Sequence, residues 1–190
     1  RIKKFKYEPI VTCDVDQAFE FSGDLKKIFR RIIGDLIKRK SLFKAYKNIK
    51  NEFLVMSGNW TIDSFYNGLH FIMNVCEKKN LKVIFFIITL KTDKRLDIGG
   101  GINKRIKKII KIIIKRGHSI GLHPGYNTFN NENNLKITYN LFVELLTKNG
   151  LESSDIISRQ HYLRWTTPRT QNILSNKKIL KDRWLVHVSR

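Results

Sequence analysis

The chain has 190 residues, with 37 basic and 16 acidic side chains, a formal net charge of +21 and a hydrophobic fraction of 42%. That length suits one domain spanning 1–190, and that apolar content excludes a disordered basic tail. Two cysteines, Cys13 and Cys76, exclude a disulfide-stapled miniprotein and a four-cysteine zinc module. The longest apolar run, residues 83–90, falls short of the ~20 residues of a bilayer span.

Most of the excess charge is lysine, scattered along the chain and densest over residues 103–116. Scattered lysine reads as a solvated surface; binding to nucleic acid or another acidic polymer is the competing reading. The chain opens on Arg1 with no apolar leader behind it, and a cytoplasmic location is expected.

In chain order, residues 8–13 predict a short buried strand entered after Pro9 and ending at Asp14. Leu25, Ile28, Phe29, Ile32, Ile33 and Leu36 recur at helical spacing and predict an amphipathic helix over 25–37. Residues 40–59 read as an irregular insertion. Thr61 or Asp63 caps a helix carrying Phe65, Leu69, Ile72, Met73 and Cys76. Residues 82–88 are apolar without alternation, the pattern of a strand buried on both faces. Three glycines at 99–101 precede a basic helix with Ile102, Ile106, Ile109, Ile110 and Ile113 on one stripe, stopped by Gly117. Residues 118–122 predict a strand ending at His123, residues 135–148 a helix stopped by Gly150, and residues 155–159 a further strand. Helices alternating with buried strands indicate an α/β fold with a parallel sheet or barrel.

In such folds chemistry collects at the carboxyl ends of the strands. Asp14 and Asp16 flank Val15, so strand alternation points both carboxylates the same way. Carboxylates that close repel unless a cation bridges them or one holds a proton. A metal taking one and leaving the other as a base resolves the conflict; two solvated aspartates in a turn is the plainer alternative. His123 closes another strand, and Asn127 lies four residues on, within reach of the same point if the backbone turns. His118, five residues before His123, faces the other way and reads as structural. Arg159 and His161 share a face if extended and offer a cation for a carboxylate plus an imidazole. The surrounding Arg, Tyr and Trp also suit stacking on nucleic acid. The three glycines at 99–101 lack the lysine of a phosphate loop.

Three segments, Asp14-Val15-Asp16, the Gly-His-x-Ile-Gly-x-His run ending at His123, and Arg159-Gln160-His161-Tyr162-Leu163-Arg164, resemble the polysaccharide deacetylases of the NodB-homology type. The likeness is closest to the branch with a D-x-D first motif and an R-Q-H-Y-L-R segment, and it runs from about Ile10 to Thr170. It implies a distorted (β/α) barrel, incomplete at its C-terminus, that binds a divalent metal, usually zinc. Asp14 then matches the catalytic base, Asp16 the metal-binding aspartate and His123 the first metal-binding histidine. Arg159 matches the arginine that orients the catalytic carboxylate. The second histidine of the family falls on Asn127, a residue suited to harder cations; water or His161 is the other candidate for third ligand. His161 is also the nearest candidate for the general acid. Leu185-Val186-His187 spells the late Leu-x-His motif but follows Arg159 too closely to count.

The implied reaction is metal-assisted removal of N-acetyl (or O-acetyl) groups from a glycan, with a carbohydrate rather than nucleic acid as the partner. The competing expectations are an inactive deacetylase-like chain, in which Asn127 has replaced a ligand, and a basic polymer-binding domain. The oligomeric state is left open.

Overall fold

The unbroken apolar run Val83–Ile87 forms the middle strand of a parallel sheet, where side chains on both faces find cover. The computed structural model describes residues 9–21, 23–152 and 156–176. They fall into two compact units, one comprising residues up to Asp16 and from Met73 onward, the other Gln17–Ile72.

The first unit holds strands β1 (Val11–Val15), β2 (Val83–Ile87) and β3 (Ser119–Leu122), all parallel and in the order β1-β2-β3. In register, Asp14 lies beside Phe86, and Phe86 beside Gly121. A Cβ on Gly121 would sit 2.6 Å from the Phe86 ring, so the large residue on β2 dictates the small one on β3. Past β3 the chain adds one parallel bridge, Leu122 with Ser158, through Leu122 N to Ile157 O at 2.9 Å and Arg159 N to Leu122 O at 3.0 Å.

The basic helix is α4 (Lys104–Lys115), whose Asn103 cap accepts from the N–H groups of Arg105 and Ile106, each at 3.0 Å. Ile106, Ile109, Ile110 and Ile113 are buried, each contributing roughly 1.5–3 kcal/mol of apolar transfer. Gly117, at φ +79°, ends the helix in a conformation side chains resist. Leu135, Phe142, Leu145 and Leu146 of α5 (Glu132–Thr147) add to the core.

The expected barrel is corrected: among the described residues the sheet has three strands and is open, in a small α/β domain with six helices. Closure takes on the order of eight tilted strands. The alternation of apolar strands with amphipathic helices is common to closed and open parallel sheets, so it did not discriminate between them.

The second unit is helical. It contains α1 (Leu25–Ile33), a π turn over Gly34–Lys38, α2 (Leu42–Met56), a 3-10 turn over Trp60–Ile62 and the start of α3 (Ser64–Lys78). Residues 40–59, read as irregular, are therefore mostly helix, begun by Ser41 Oγ accepting from Lys44 N at 3.2 Å. Of the two proposed caps for α3, Asp63 serves: its Oδ1 accepts from Phe65 N at 3.0 Å and Tyr66 N at 3.1 Å. The same carboxylate takes the N–H groups of Glu20 and Phe21, which ties the segment before α1 to the start of α3. Asp35 is fully buried in the π turn, accepting from Arg39 Nη1 at 2.5 Å and Asn48 Nδ2 at 2.6 Å. These bonds, Arg39's first, outweigh burial and hold its carboxyl below the usual carboxylate range. The apolar stripe of α1 faces outward, with Leu25 79% and Phe29 65% exposed.

No helix among the described residues is long and apolar enough to cross a membrane. The Leu185-Val186-His187 sequence and the C-terminal stretch where barrel strands were expected to be missing lie outside the described residues.

Candidate metal centre

The carboxyl ends of β1 and β3 and the segment after the Ser158 bridge bring Asp16, His123 and His161 together. One ligand atom from each lies within 4.8 Å of the others. Val15, buried between the two aspartates, anchors the strand end and leaves Asp14 and Asp16 on the open side. The Asp16 Oδ1 atom stands 3.3 Å from His123 Nε2 and 3.4 Å from His161 Nε2. Donors bound tetrahedrally to one ion at ~2.0–2.2 Å lie ~3.3 Å apart, so the two distances from Asp16 are those of ligands sharing one ion.

Both imidazoles are held in the orientation a ligand requires. His123 is almost fully buried, and its Nδ1 donates to the carbonyl of Arg159 at 2.6 Å, an oxygen that can only accept. His161, equally buried, donates from Nδ1 to Asp97 Oδ1 at 2.7 Å. In the neutral rings both Nε2 lone pairs therefore face Asp16. When the rings carry a second proton instead, the hydrogen bond from His123, opposed by partial burial, keeps the Asp16 carboxyl below the usual carboxylate range. Two imidazoles and one carboxylate form a donor set suited to zinc or a neighbouring transition metal, and a poor one for calcium or magnesium. Asp16, His123 and His161 can thus hold a metal ion.

Asp97 is the residue that sequence reasoning missed. It is fully buried and collects the N–H of Tyr126 on Oδ1, and the N–H groups of Thr92 and Asp93 and the Thr92 hydroxyl on Oδ2, all at 2.8–2.9 Å. Burial works against its charge, but these donors prevail and hold its pKa below the ordinary carboxylate value. The available signal was its position in the loop following β2, at the same end of the sheet as Asp16 and His123. Gly125 permits the knot: a Cβ there would lie 2.6 Å from Thr92 Oγ1 and 2.7 Å from Asp97 Oδ2.

Asn127 is tied to the loop after β2 and does not line the cavity at Asp16. Its Nδ2 donates to Thr92 O at 3.2 Å and its backbone N–H to Thr92 Oγ1 at 2.9 Å. The backbone N–H of Tyr126 is taken by Asp97. His118 is buried away from this end of the sheet, where its Nδ1 accepts from Val83 N at 3.3 Å.

Asp14 sits beside the cluster in a cavity of about 270 Å³, lined also by Asp16, His123, Gln160, His161, Tyr162 and Leu163. Arg159 donates from Nη1 to Asp14 Oδ1 and from Nη2 to Thr12 Oγ1, both at 2.9 Å, and its guanidinium stacks on Phe86 at 4.7 Å from the ring centroid. Both ends of the fork are thus occupied and the Asp14 carboxylate is fixed in direction. Cys13 points elsewhere; burial and the charges of Asp14 and Asp16 push its thiol up to about 11, which makes it a poor ligand near neutrality. Tyr162 and Leu163 at the rim hold φ values of 57° and 53°, left-handed geometry that costs ~1–3 kcal/mol per residue and concentrates at functional sites.

Removing the Asp97 acceptor tests this arrangement. Asp97→Asn is expected to weaken zinc binding by ~10–100-fold in titration calorimetry, the usual effect of losing a ligand's supporting carboxylate. Unchanged affinity in a protein with an intact circular dichroism spectrum would show that His161 needs no such support.

Comparison of the chain with protein-family models, with curated proteins and with solved structures finds no match.

Proposed function

We propose that this protein is a zinc-dependent hydrolase that removes acetyl groups from the amino sugars of a glycan, as the resemblance of its three motifs to the polysaccharide deacetylases implies. The observation that carries this reading is the joining of a two-histidine, one-aspartate cluster to a second, arginine-held carboxylate in one cavity. A structural ion pair needs no second carboxylate beside it; hydrolysis needs a base there.

Asp16, His123 and His161 would hold the cation. When bound, it supplies Lewis-acid polarisation of an acyl carbonyl and makes water more acidic. Asp14 takes the proton of the attacking water, and Arg159 keeps the accepting oxygen aimed into the cavity. His161 is engaged at both ring nitrogens, by Asp97 and toward Asp16, which suits a ligand and leaves no proton for a leaving amine. Asp14, once protonated, is the group placed to return that proton to the amine. Tyr162, a residue 61% accessible at the rim whose ring meets those of Tyr126 and His161, offers an aromatic surface to a sugar.

The test is acetate release from N-acetylglucosamine oligomers by the metal-depleted protein before and after zinc is restored. Release that appears with zinc and vanishes in His123→Ala supports the reading. A zinc-loaded protein that releases no acetate from N- or O-acetylated glycans, yet binds nucleic acid with a steep salt dependence, would favour the basic polymer-binding alternative.

A further inference from the structure

The helical unit holds a second cavity, chemically unlike the first. It measures about 460 Å³, within the ~300–1,000 Å³ of small-molecule sites, and is lined by Glu20, Arg30, Arg31, Gly34, Lys38, Arg39 and Asn48. Four cations face one carboxylate across it. The buried Asp35 bonds Arg39 and Asn48 and also feels the charge of Arg31, so it offsets part, not all, of the four cations.

We infer that this cavity binds the phosphate group of a small polyol phosphate. The cations are arranged rather than merely crowded. Arg31 is pinned by stacking on Phe21, 4.6 Å from the ring centroid, and by donating from Nη2 to Glu20 O at 3.1 Å. Its Nη1 is buried and makes no hydrogen bond, with the nearest carboxylate oxygen, Glu20 Oε1, at 3.8 Å. A desolvated guanidinium N–H without a partner is costly unless an anion supplies the acceptor. Arg39 is held by Asp35. Among the described residues the side chains of Arg30 and Lys38 enter no hydrogen bond or ion pair, and both can close on a ligand. The π turn itself contributes Gly34 and Lys38 to the lining, and such turns recur at functional sites. A Cβ on Gly34 would meet nothing within 4 Å, so this wall is open. Glu20 and Asn48 supply acceptors for hydroxyl groups, and the volume exceeds the needs of a lone phosphate, which together favour a polyol body.

The site is independent of the metal centre and is tested on the whole chain without added metal, by titration calorimetry with inorganic phosphate, glucose 6-phosphate and glucose. Glucose 6-phosphate should bind more tightly than inorganic phosphate, and glucose should give no heat. The surface double variant Arg30→Gln/Lys38→Gln should weaken glucose 6-phosphate by at least about tenfold, the loss of a charge-assisted contact. Gly34→Leu should do the same by filling the cavity, with net charge unchanged and ordinary helical backbone at φ −61°, ψ −38°. Both variants should keep zinc binding and the wild-type melting temperature. Equal affinity for the two phosphates, or full binding by Gly34→Leu, would reduce the effect to general attraction by a basic surface and overturn the assignment. Absence of glucose 6-phosphate binding by the wild-type chain would overturn it outright.

Discussion

On the proposed reaction, Asp14→Asn should lower acetate release by ~10²–10⁴-fold, the range for removing a general base, while leaving metal binding in place. The two effects separate because Asp14 is not among the three converging ligands. Asparagine keeps the size of the side chain and its contact with the Arg159 fork, but it has no carboxylate to accept a proton. Arg159→Lys should fall in the same direction, since an ammonium cannot reach Asp14 Oδ1 and Thr12 Oγ1 together as the fork does. Steady-state kinetics on the zinc-loaded variants checks both. An Asp14→Asn protein as active as the wild type would remove the base from the proposal while sparing the metal site.

Phe86→Ala is expected to be the most damaging core substitution, at ~3–5 kcal/mol by denaturant titration. The ring is fully buried on the central strand, lies against the space Gly121 leaves, and carries the Arg159 guanidinium on its face. Its loss opens a cavity and removes a cation–π contact worth ~0.5–2 kcal/mol. The molecules that still fold should also lose activity, because the fork that aims Asp14 no longer rests on a platform. Gly121→Ala should fail in the complementary way, by forcing its Cβ into the same ring. A Phe86→Ala protein only ~1 kcal/mol less stable would mean that the sheet repacks around the gap.

Much of the candidate metal centre was legible in the chain because its parts obey local rules. The D-x-D spacing fixes two carboxylates on one face of a strand, whatever surrounds it. The apolar runs before Asp14 and His123 place both residues at strand ends, and parallel strands present those ends on one side of a sheet. The isoleucine stripe of residues 106–113 and its glycine stop likewise depend only on helical period and on a backbone conformation that glycine accepts cheaply.

The tertiary structure decided everything that depends on distance across the chain. Whether Asn127 or His161 stands by Asp16 turns on where a loop folds back; Thr92 captures Asn127, and Asp97 draws His161 inward. Asp97 itself lies in a polar loop with no periodicity to mark it, and its importance comes from donors up to 64 residues away in sequence. Residues 40–59 looked irregular because most of their apolar side chains, Leu42, Phe43, Tyr46, Ile49, Phe53 and Met56 among them, are exposed, and only Ala45 and Val55 are buried, too few to mark a helical stripe. Barrel closure was equally beyond the sequence. Alternating strands and helices specify parallel neighbours, but the number and tilt of strands that close a sheet are properties of the assembled whole.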